Sequence, residues 1–422
     1  MARVSDSDRP VGTEGAVLET IERFAEEVLA PSAAEIDERE AFAAQHLPAL
    51  REVGLLGLNL PEEWGGAGIS ATTLYRSIEA LAAACASTTS LLTAHYLATD
   101  TILMAGSDEQ RRRFLPRIAA GKALCAFALT EPQAGSNPAD MRTIATADQD
   151  SYRIRGVKHF ISNAAAADII VVFAKTDAAA GARGVSAFVL DRAGTSGVTV
   201  GPAERTMGLR GGHVFEVGLD CEVSSANRLG DERSGFKFAM RALDNGRIDV
   251  AAQATGIAGR AIELSVDWLK SRKVAGEPIA RFQGLQWMLA DMATELSAAR
   301  ALGLEAARRR DGGKGFSLEA SMAKLFATEV ASRIADNAIQ IHGGYGYTRG
   351  LPLERFLRDL RIFRIYEGSS EIQRNIIARH AGRREPIEVP ARSLHFSRPR
   401  LHTCPSSPAE KRARTEETSG AT

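Results

Sequence analysis

A carboxylate beside a break in a helical pattern is the feature of this sequence with the clearest chemical potential. In RIYEGSSEIQRNIIARH (residues 364–380), a Gly-Ser-Ser sequence follows Glu367, and a helical pattern resumes after it. Glu367 is therefore predicted on a loop before a helix N-terminus, where Ser370 and Gln373 have the spacing of a capping box. The helix dipole would lower the pKa of this carboxyl and burial would raise it, so the direction stays open. The local pattern alone favours a surface or capping carboxylate, with a general base as the alternative.

Two further segments could approach a phosphate-bearing ligand. ALTEPQAGSNPADM (residues 128–141) offers hydroxyls at Thr130 and Ser136 and a close-approaching amide at Gly135. A turn that ends a strand is the alternative interpretation, since Glu-Pro and Asn-Pro are turn signals. QIHGGYGY (residues 340–347) has glycines that do not follow a predicted strand and do not form GxGxxG, which rejects a Rossmann-type loop. A helix C-cap with a tight turn explains these glycines equally well.

Three parts of the chain with different hydrophobic patterns must position these segments. The first repeats apolar residues every three or four positions and predicts helices, and the last does the same over longer segments. Between them lie short β-branched runs such as DIIVVFA and HVFEVGL, with no helices between them, which favours an antiparallel barrel or sandwich. The predicted divisions are a helical domain at 1–123, a β domain at 124–234, a helical bundle at 235–382 and a disordered basic tail at 383–422.

Composition excludes several classes of protein. The 422 residues carry 52 Lys and Arg against 52 Asp and Glu, which gives no reason to expect a nucleic-acid or membrane partner. The apolar runs are too short to span a bilayer, and the first residues lack the apolar core of a secretory signal. The cysteines form no CxxC pair, so we expect neither a disulfide framework nor a zinc site. We expect a cytoplasmic location instead. The cysteines are Cys85, Cys125, Cys221 and Cys404.

Taken in this order and spacing, the three segments resemble signatures of the acyl-CoA dehydrogenase family of flavoenzymes. ALTEPQAGSN looks like the first family signature, QIHGGYGY like the second, and YEGSSEIQR like the catalytic loop. The resemblance covers roughly residues 17–382. It implies a mainly α fold with a central β domain: an N-terminal helical domain, a middle antiparallel β-barrel and a C-terminal four-helix bundle. It also implies homotetramers with one FAD in each subunit.

The resemblance assigns a reaction to the carboxylate loop. Family members form a trans-2,3 double bond in an acyl-CoA thioester, with a carboxylate removing the α-proton while the β-hydrogen leaves as hydride to flavin N5. By resemblance the base is Glu367, and its own backbone amide and a flavin hydroxyl would bind the thioester oxygen. One branch of the family places its base at the position of Gly246, which has no acid to offer.

The resemblance also carries a set of binding positions onto this sequence. The positions that match flavin contacts are Phe127, Leu129, Thr130, Ser136, Phe160, Ser162, Arg272, Gln283, Gln340, Gly343, Gly344, Ser369 and Glu371. Within this set, Arg272 and Gln283 match residues that reach the FAD of a neighbouring subunit, as do Gln340, Gly343 and Gly344. The positions that match substrate contacts are Ser136, Asp244, Arg247, Gly368 and Arg379.

Substrate and partners follow from the branch that the sequence resembles most. The helical segments are similar to the short-chain and short-branched-chain (isobutyryl-CoA type) branch, which implies a short or branched acyl-CoA and an electron-transferring flavoprotein as acceptor. Asp249, unusual after Arg247, indicates either a polar acyl group or a surface position. The alternatives are an acyl-CoA oxidase or desulfinase-like relative on the same fold, and a flavin-free binding scaffold.

Overall fold

Helices flank a central block of strands, as the sequence patterns predict. The computed structural model describes residues 10–381, and the tail predicted at 383–422 lies outside the described residues. The helices are α1 (Thr13–Phe24), α2 (Ala33–Glu38), α3 (Leu47–Glu52), α4 (Ala71–Ala84), α5 (Ala86–Ala105), α6 (Asp108–Ala119), α7 (Gly235–Ser271), α8 (Gln283–Asp311), α9 (Ser317–His342), α10 (Gly344–Tyr347), α11 (Leu353–Phe363) and α12 (Ser370–Ala381). The strands are β1 (Cys125–Ala128), β2 (Ile144–Asp148), β3 (Ser151–Ser162), β4 (Ile169–Lys175), β5 (Val185–Asp191), β6 (Val198–Ala203), β7 (Val214–Ser224), β8 (Arg228–Leu229), β9 (Lys273–Val274) and β10 (Glu277–Pro278).

The N-terminal helices surround α5, which is buried on nearly all sides. A helix that is buried all round must lie in the interior, and α5 packs against α4, α6, α7 and β1. It nevertheless carries polar residues such as Thr93 and Asp100, which are buried with it. The polar side chains of α5 therefore need partners inside the protein.

The next helix, α6, begins with a capping box in which the backbone N–H of Gln110 donates to Ser107 Oγ at 3.2 Å.

Strands β1 to β8 form one sheet in the order β6-β7-β3-β2-β4-β5-β8, with β1 also paired to β4, and β9 and β10 form a separate two-stranded antiparallel sheet. Burial alternates along β7, whereas β4 and β5 are buried almost throughout, as their sequence patterns indicate. Most pairs are antiparallel, but β1 and β4 are parallel, and a single parallel pair joins β2 to β4. Parallel neighbours need a crossover, and the β2–β3 hairpin supplies the chain between β1 and β4.

The long helix α7 is the centre of the C-terminal half. It packs against α4, α5, α8 and α9, and residues 245–258 are all buried. Glycine allows the closest approach: a Cβ at Gly256 would lie 2.1 Å from the carbonyl oxygen of Glu79 on α4. The buried stretch includes Arg247, Asp249 and Gln253, so polar groups lie at the heart of a helical packing. Among residues 10–381, no helix combines the length and apolarity needed to cross a bilayer.

Candidate active site

The loop between α11 and α12 holds Glu367 in a backbone conformation unusual for a residue with a side chain. Its φ is 53°, in the left-handed region that costs about 1–3 kcal/mol outside glycine. Neighbours fix this conformation: Arg247 Nε donates to the Glu367 carbonyl at 3.3 Å, and Gln373 Nε2 donates to it at 3.1 Å. Lys324 Nζ lies 2.9 and 2.7 Å from the carbonyl oxygens immediately before and after Glu367. Three buried side chains thus hold the loop from below.

The Glu367 carboxylate lies directly on the backbone of α7 at Gly246. A Cβ added at Gly246 would come within 2.3 Å of Glu367 Oε2 and 2.7 Å of Leu97 Cδ2. A side chain at this position would occupy the space that the carboxylate fills. Gly246 therefore does more than lack an acid, because its missing Cβ makes the space for the carboxylate of Glu367.

Burial controls the charge of this carboxyl. Glu367 as a residue is half-buried, but its Oε2 has no exposed surface and no hydrogen-bond partner within the part of the chain that the structure describes. Desolvation raises the pKa of Glu367 to about 7, although the positive charges of Lys324 and Arg247 oppose the rise. Burial also lowers the pKa of Lys324, to about 8. A carboxylate whose pKa is near neutral and whose oxygen is unpaired is suited to general-base chemistry.

The capping box predicted at the start of α12 is wrong. Ser370 Oγ donates to Glu329 Oε1 at 2.6 Å instead of capping the helix. The Gln373 side chain turns back to the carbonyls of Glu367 and Gly368, the latter at 2.8 Å. Local spacing predicted a cap, but the tertiary structure uses these two polar groups to fix the loop that carries Glu367.

The end of β1 and a bulge in β3 bring a second group of predicted residues together. The His159 amide donates to the Thr130 carbonyl at 2.9 Å, and Lys158 Nζ donates to the Leu129 carbonyl at 3.1 Å. Pairing between β3 and β7 is interrupted after Lys158, where Phe160 has a φ of 56° and a ring that is 58% exposed. The half-buried Phe127 and Ser162 lie in these same two strands. The bulge thus presents an exposed aromatic ring that stacks on the His159 imidazole, with the ring centres 4.1 Å apart.

A buried ion pair anchors this second group. Lys158 Nζ lies 2.8 Å from Glu131 Oε1, and both side chains are buried. Glu131 also accepts hydrogen bonds from the backbone amides of Arg142 and Thr143, at 2.5 and 3.0 Å. Burial acts to raise the pKa of Glu131, but Lys158 and these amides lower it to about 2. The Glu131 carboxylate therefore joins the two ends of the loop that follows Thr130, through its hydrogen bonds to Arg142 and Thr143.

A third group of predicted residues lines an open cleft of about 550 Å³ at the end of α9. Arg272 lies with its guanidinium 5.7 Å from the ring centre of Tyr345, in a cation–π arrangement. Gly343 has a φ of 59°, and a Cβ on it would meet no atom within 4 Å, so its backbone is open to a ligand. The predicted residues on the cleft wall are Arg272, Gln340, Gly343 and Gly344.

Other predicted residues stand apart from these groups. Gln283 is exposed and does not line the cleft. Ser136 and Arg379 are exposed, and among the described residues neither forms a hydrogen bond or ion pair with Glu367 or its neighbours. Glu371, in the first turn of α12, is exposed. Ser369 is half-buried in the loop that carries Glu367, where its Oγ accepts a weak hydrogen bond from the Ile372 backbone amide at 3.5 Å. By contrast, Arg247 and Asp244 adjoin the Glu367 loop and pair with each other at 2.5 Å; Gly368 lies in that loop.

The sequence patterns missed Lys324, Gln373 and the burial of Asp249. Lys324 is four residues after Ala320 and three before Ala327, both fully buried, so its place on a buried stripe was readable from helical spacing. Asp249 is 3% exposed, which excludes the surface position that the sequence left open. Nothing in the local sequence of Gln373 distinguishes a cap from a contact with the loop.

Comparison with known protein families agrees with this geometry. Three family models match the chain: the acyl-CoA dehydrogenase N-terminal domain at residues 13–122, the middle domain at 126–220 and the C-terminal domain at 233–382. The chain belongs to the acyl-CoA dehydrogenase family. Members of this family are oxidoreductases that act on CH–CH groups, and the three-domain fold expected from the resemblance is confirmed.

Relatives and solved structures cover nearly the whole described chain. Acryloyl-CoA reductase (NADH) of Anaerotignum propionicum is 43% identical over 90% of this chain and 98% of that protein. The human mitochondrial short-chain specific acyl-CoA dehydrogenase is 41% identical over 87% of this chain and 90% of its own. Butyryl-CoA dehydrogenase from Megasphaera elsdenii superposes with a TM-score of 0.86 at 37% identity, covering 91% of this chain and 100% of that one. PigA with FAD and proline superposes with a TM-score of 0.85 at 28% identity, covering 89% and 99%.

Proposed function

We propose that this family member is an FAD-dependent dehydrogenase that converts a short or short-branched acyl-CoA to the trans-2-enoyl-CoA, with Glu367 as the base. The observation that carries the proposal is the buried Oε2 of Glu367, which has no hydrogen-bond partner among residues 10–381, and the pKa of Glu367, which is raised to about 7. Glu131, a carboxylate with a structural role, is instead paired with Lys158 and has a lowered pKa. An unpaired carboxylate costs stability, and such a cost is typical of a reactive group.

The chain offers groups that fit FAD. The exposed ring of Phe160 at the β3 bulge is suited to packing against a planar heterocycle, with the Thr130 and Ser162 hydroxyls in the same two segments. The open backbone at Gly343 and the guanidinium of Arg272 are suited to a phosphate or adenine. FAD, when bound, supplies the acceptor for the hydride. A homotetramer is part of the proposal, in which the open cleft at the end of α9 would take the FAD of a neighbouring subunit.

The side chains around Glu367 account for the proton transfer. Glu367 takes the α-proton of the thioester, and Arg247 and Lys324 keep its loop in place while their charges favour the ionised carboxylate. The Glu367 amide makes no backbone hydrogen bond among the described residues, which leaves it free to donate to the thioester oxygen. Negative charge that develops on this oxygen as the α-proton leaves would be stabilised by that donor.

Several observations support a short acyl group. The helix α7 is buried without interruption from 245 to 258, so the space beyond Gly246 is enclosed by packed residues. Short-chain specific and butyryl-CoA enzymes are among the relatives. Electron transfer to an electron-transferring flavoprotein is part of the proposal, and a chain from the structure of such a flavoprotein of Acidaminococcus fermentans superposes with a TM-score of 0.86.

Anaerobic reduction of bound FAD tests the proposal. Addition of butyryl-CoA or isobutyryl-CoA should bleach the flavin absorbance of the wild-type protein. Glu367→Gln should keep FAD and bind the same thioesters, because glutamine has nearly the same shape as glutamate. Its flavin should bleach about 100- to 10,000-fold more slowly, because the amide cannot accept the α-proton. Glu222→Gln, at an exposed position of β7, serves as the control and should bleach normally. Full bleaching by Glu367→Gln would disprove the assigned base, and rapid reoxidation by O₂ would favour the oxidase alternative.

A further inference from the structure

A row of polar side chains leads away from the Glu367 carboxylate along α7. Gly246, which contacts that carboxylate, is followed at helical spacing by Asp249 and Gln253, so all three lie on one face of the helix. This face packs against α5, where Thr93 Oγ1 accepts a hydrogen bond from Gln253 Nε2 at 3.1 Å. The acyl chain of a substrate whose α-carbon lies at Glu367 would extend into this same seam.

Two buried aspartates in the seam differ in their partners. Asp100 of α5 accepts hydrogen bonds from Asn59 and Asn245, both at 2.7 Å, and lies 4.0 Å from Arg310. Asp249 is equally buried, at 3% exposed, yet no side-chain or backbone donor of the described residues bonds to it. The guanidinium of Arg310 reaches Asp249 only through longer-range attraction. Asp100 therefore has hydrogen-bond donors for its carboxyl group, whereas Asp249 has none among the described residues.

Other polar atoms in the seam are also without partners. Gln253 is fully buried, and its Oε1 has no hydrogen-bond partner in the described chain. The buried Tyr366 hydroxyl lies close to the Gln253 and Ser90 side chains, but among residues 10–381 its geometry toward them falls short of a full hydrogen bond. Burying an unsatisfied polar group costs about 1–3 kcal/mol, so several in one place indicate that something else satisfies them.

We propose that Asp249 determines specificity by binding a hydroxyl or protonated amine on the acyl group of the substrate. This inference rests on the proposed function and narrows its substrate class. Asp249 lies about 4.5 Å further along α7 than Gly246, which is the reach of about three carbon–carbon bonds. With the α-carbon at Glu367, the hydrogen-bond donor belongs on the γ- or δ-carbon. A plain alkyl chain would leave the Asp249 carboxyl desolvated and unpaired.

The chemistry of such a pocket sets the size of the preference. A site built to hydrogen-bond a polar group rejects an analogue that lacks it far more strongly than an apolar pocket rejects a hydroxyl. A hydrogen bond to a charged group changes affinity by about 10- to 100-fold. Burial raises the pKa of Asp249 well above its usual range, so a hydroxyl can pair with its neutral form and an ammonium with its charged form.

Pairs of thioesters of matched size test the inference. Flavin bleaching is compared for γ-hydroxybutyryl-CoA against valeryl-CoA, and for δ-aminovaleryl-CoA against hexanoyl-CoA. The wild-type protein should prefer the polar member of at least one pair by about 10-fold or more. Asp249→Leu should reverse that preference by about 10- to 100-fold, and Asp249→Asn should retain part of it for the hydroxyl but not for the ammonium. Asp359→Asn, at a carboxyl that is equally buried and bonds to the Leu209 amide instead, should leave the ratio unchanged.

Binding to Glu367→Gln, measured by calorimetry for the same pairs, gives the ratio without turnover. Preference for the alkyl member of both pairs by the wild-type protein, or an unchanged ratio in Asp249→Leu, would overturn the role of Asp249. If either of these outcomes is found while valeryl-CoA still bleaches the flavin normally, the role of Asp249 fails and the proposed function stands. No bleaching by any thioester would count against the proposed function, while the calorimetric ratio would still decide the role of Asp249.

Discussion

Adding one methyl group at residue 246 would test how the Glu367 carboxylate packs on α7. In Gly246→Ala the new Cβ would lie 2.3 Å from Oε2 of Glu367 and 2.9 Å from its Cδ, against an ordinary contact of about 3.5 Å or more. The carboxylate must therefore retreat by about 1 Å. Arg247 and Lys324 hold the Glu367 loop through its carbonyls, so the strain falls on the Glu367 carboxylate and on the Leu97 side chain, whose Cδ2 would lie 2.7 Å from the new Cβ.

The expected effects on stability and activity differ in size. Overpacking costs about 1–3 kcal/mol, and replacing glycine by alanine inside a helix returns about 1 kcal/mol, so the free energy of unfolding should fall by at most about 2 kcal/mol. A displacement of about 1 Å in a reacting group lowers a rate by about 100-fold. We therefore expect a folded, FAD-containing protein whose flavin is bleached about 100-fold more slowly by butyryl-CoA.

The assay combines urea unfolding, flavin content and anaerobic stopped-flow bleaching. Gly259→Ala, thirteen residues further along α7, is the matched control, because the end of the Arg300 side chain is the nearest group to its new Cβ, at 2.9 Å, and Leu296 Cδ2 at 3.8 Å is in ordinary contact. That long side chain can move, so the control should bleach at the wild-type rate. A wild-type rate in Gly246→Ala with normal FAD content would refute the placement of the carboxylate over Gly246.

Two further predictions concern charge. The acid limb of the kcat/KM profile should lie near pH 7, because Glu367 must lose its proton to act as a base; Lys324→Met should move this limb to higher pH, since the lysine charge lowers the pKa of Glu367. A pH-rate profile that does not move would show that Lys324 does not act on the base. Glu131→Gln should lower the free energy of unfolding by about 3–5 kcal/mol in urea titrations, because it leaves the Lys158 ammonium buried and unpaired. The folded-state pKa of Glu131 is lowered to about 2, so the stability that this pair gives the wild-type protein should persist above about pH 4.5 and be lost as the pH falls toward 2. A decrease of less than about 1 kcal/mol in the free energy of unfolding of Glu131→Gln would contradict this account.

Much of the architecture was readable from periodicity. The alternation in HVFEVGL and the continuous apolar run in DIIVVFA correspond to the half-buried β7 and the buried β4. Ser107 and Gln110 have the three-residue spacing of a capping box, and the structure forms that box at the start of α6. The parallel pairing of β1 with β4 was not readable, because it joins strands about forty residues apart and depends on how the β2–β3 hairpin crosses between them.

The sequence by itself determined the position of Glu367 on a loop before α12, the helix–sheet–helix order and the family signatures, because each depends on neighbours a few residues apart. Only the tertiary structure decided what that loop contacts. Gly246 lies 121 residues before Glu367, yet its missing Cβ makes space for the carboxylate. Lys324 and Gln373 bind loop carbonyls, and Asp249 lies in a buried seam with no hydrogen-bond donor from the described residues. Desolvation depends on every group packed around a carboxyl, so the raised pKa of Glu367 follows from the assembled fold and from no local pattern.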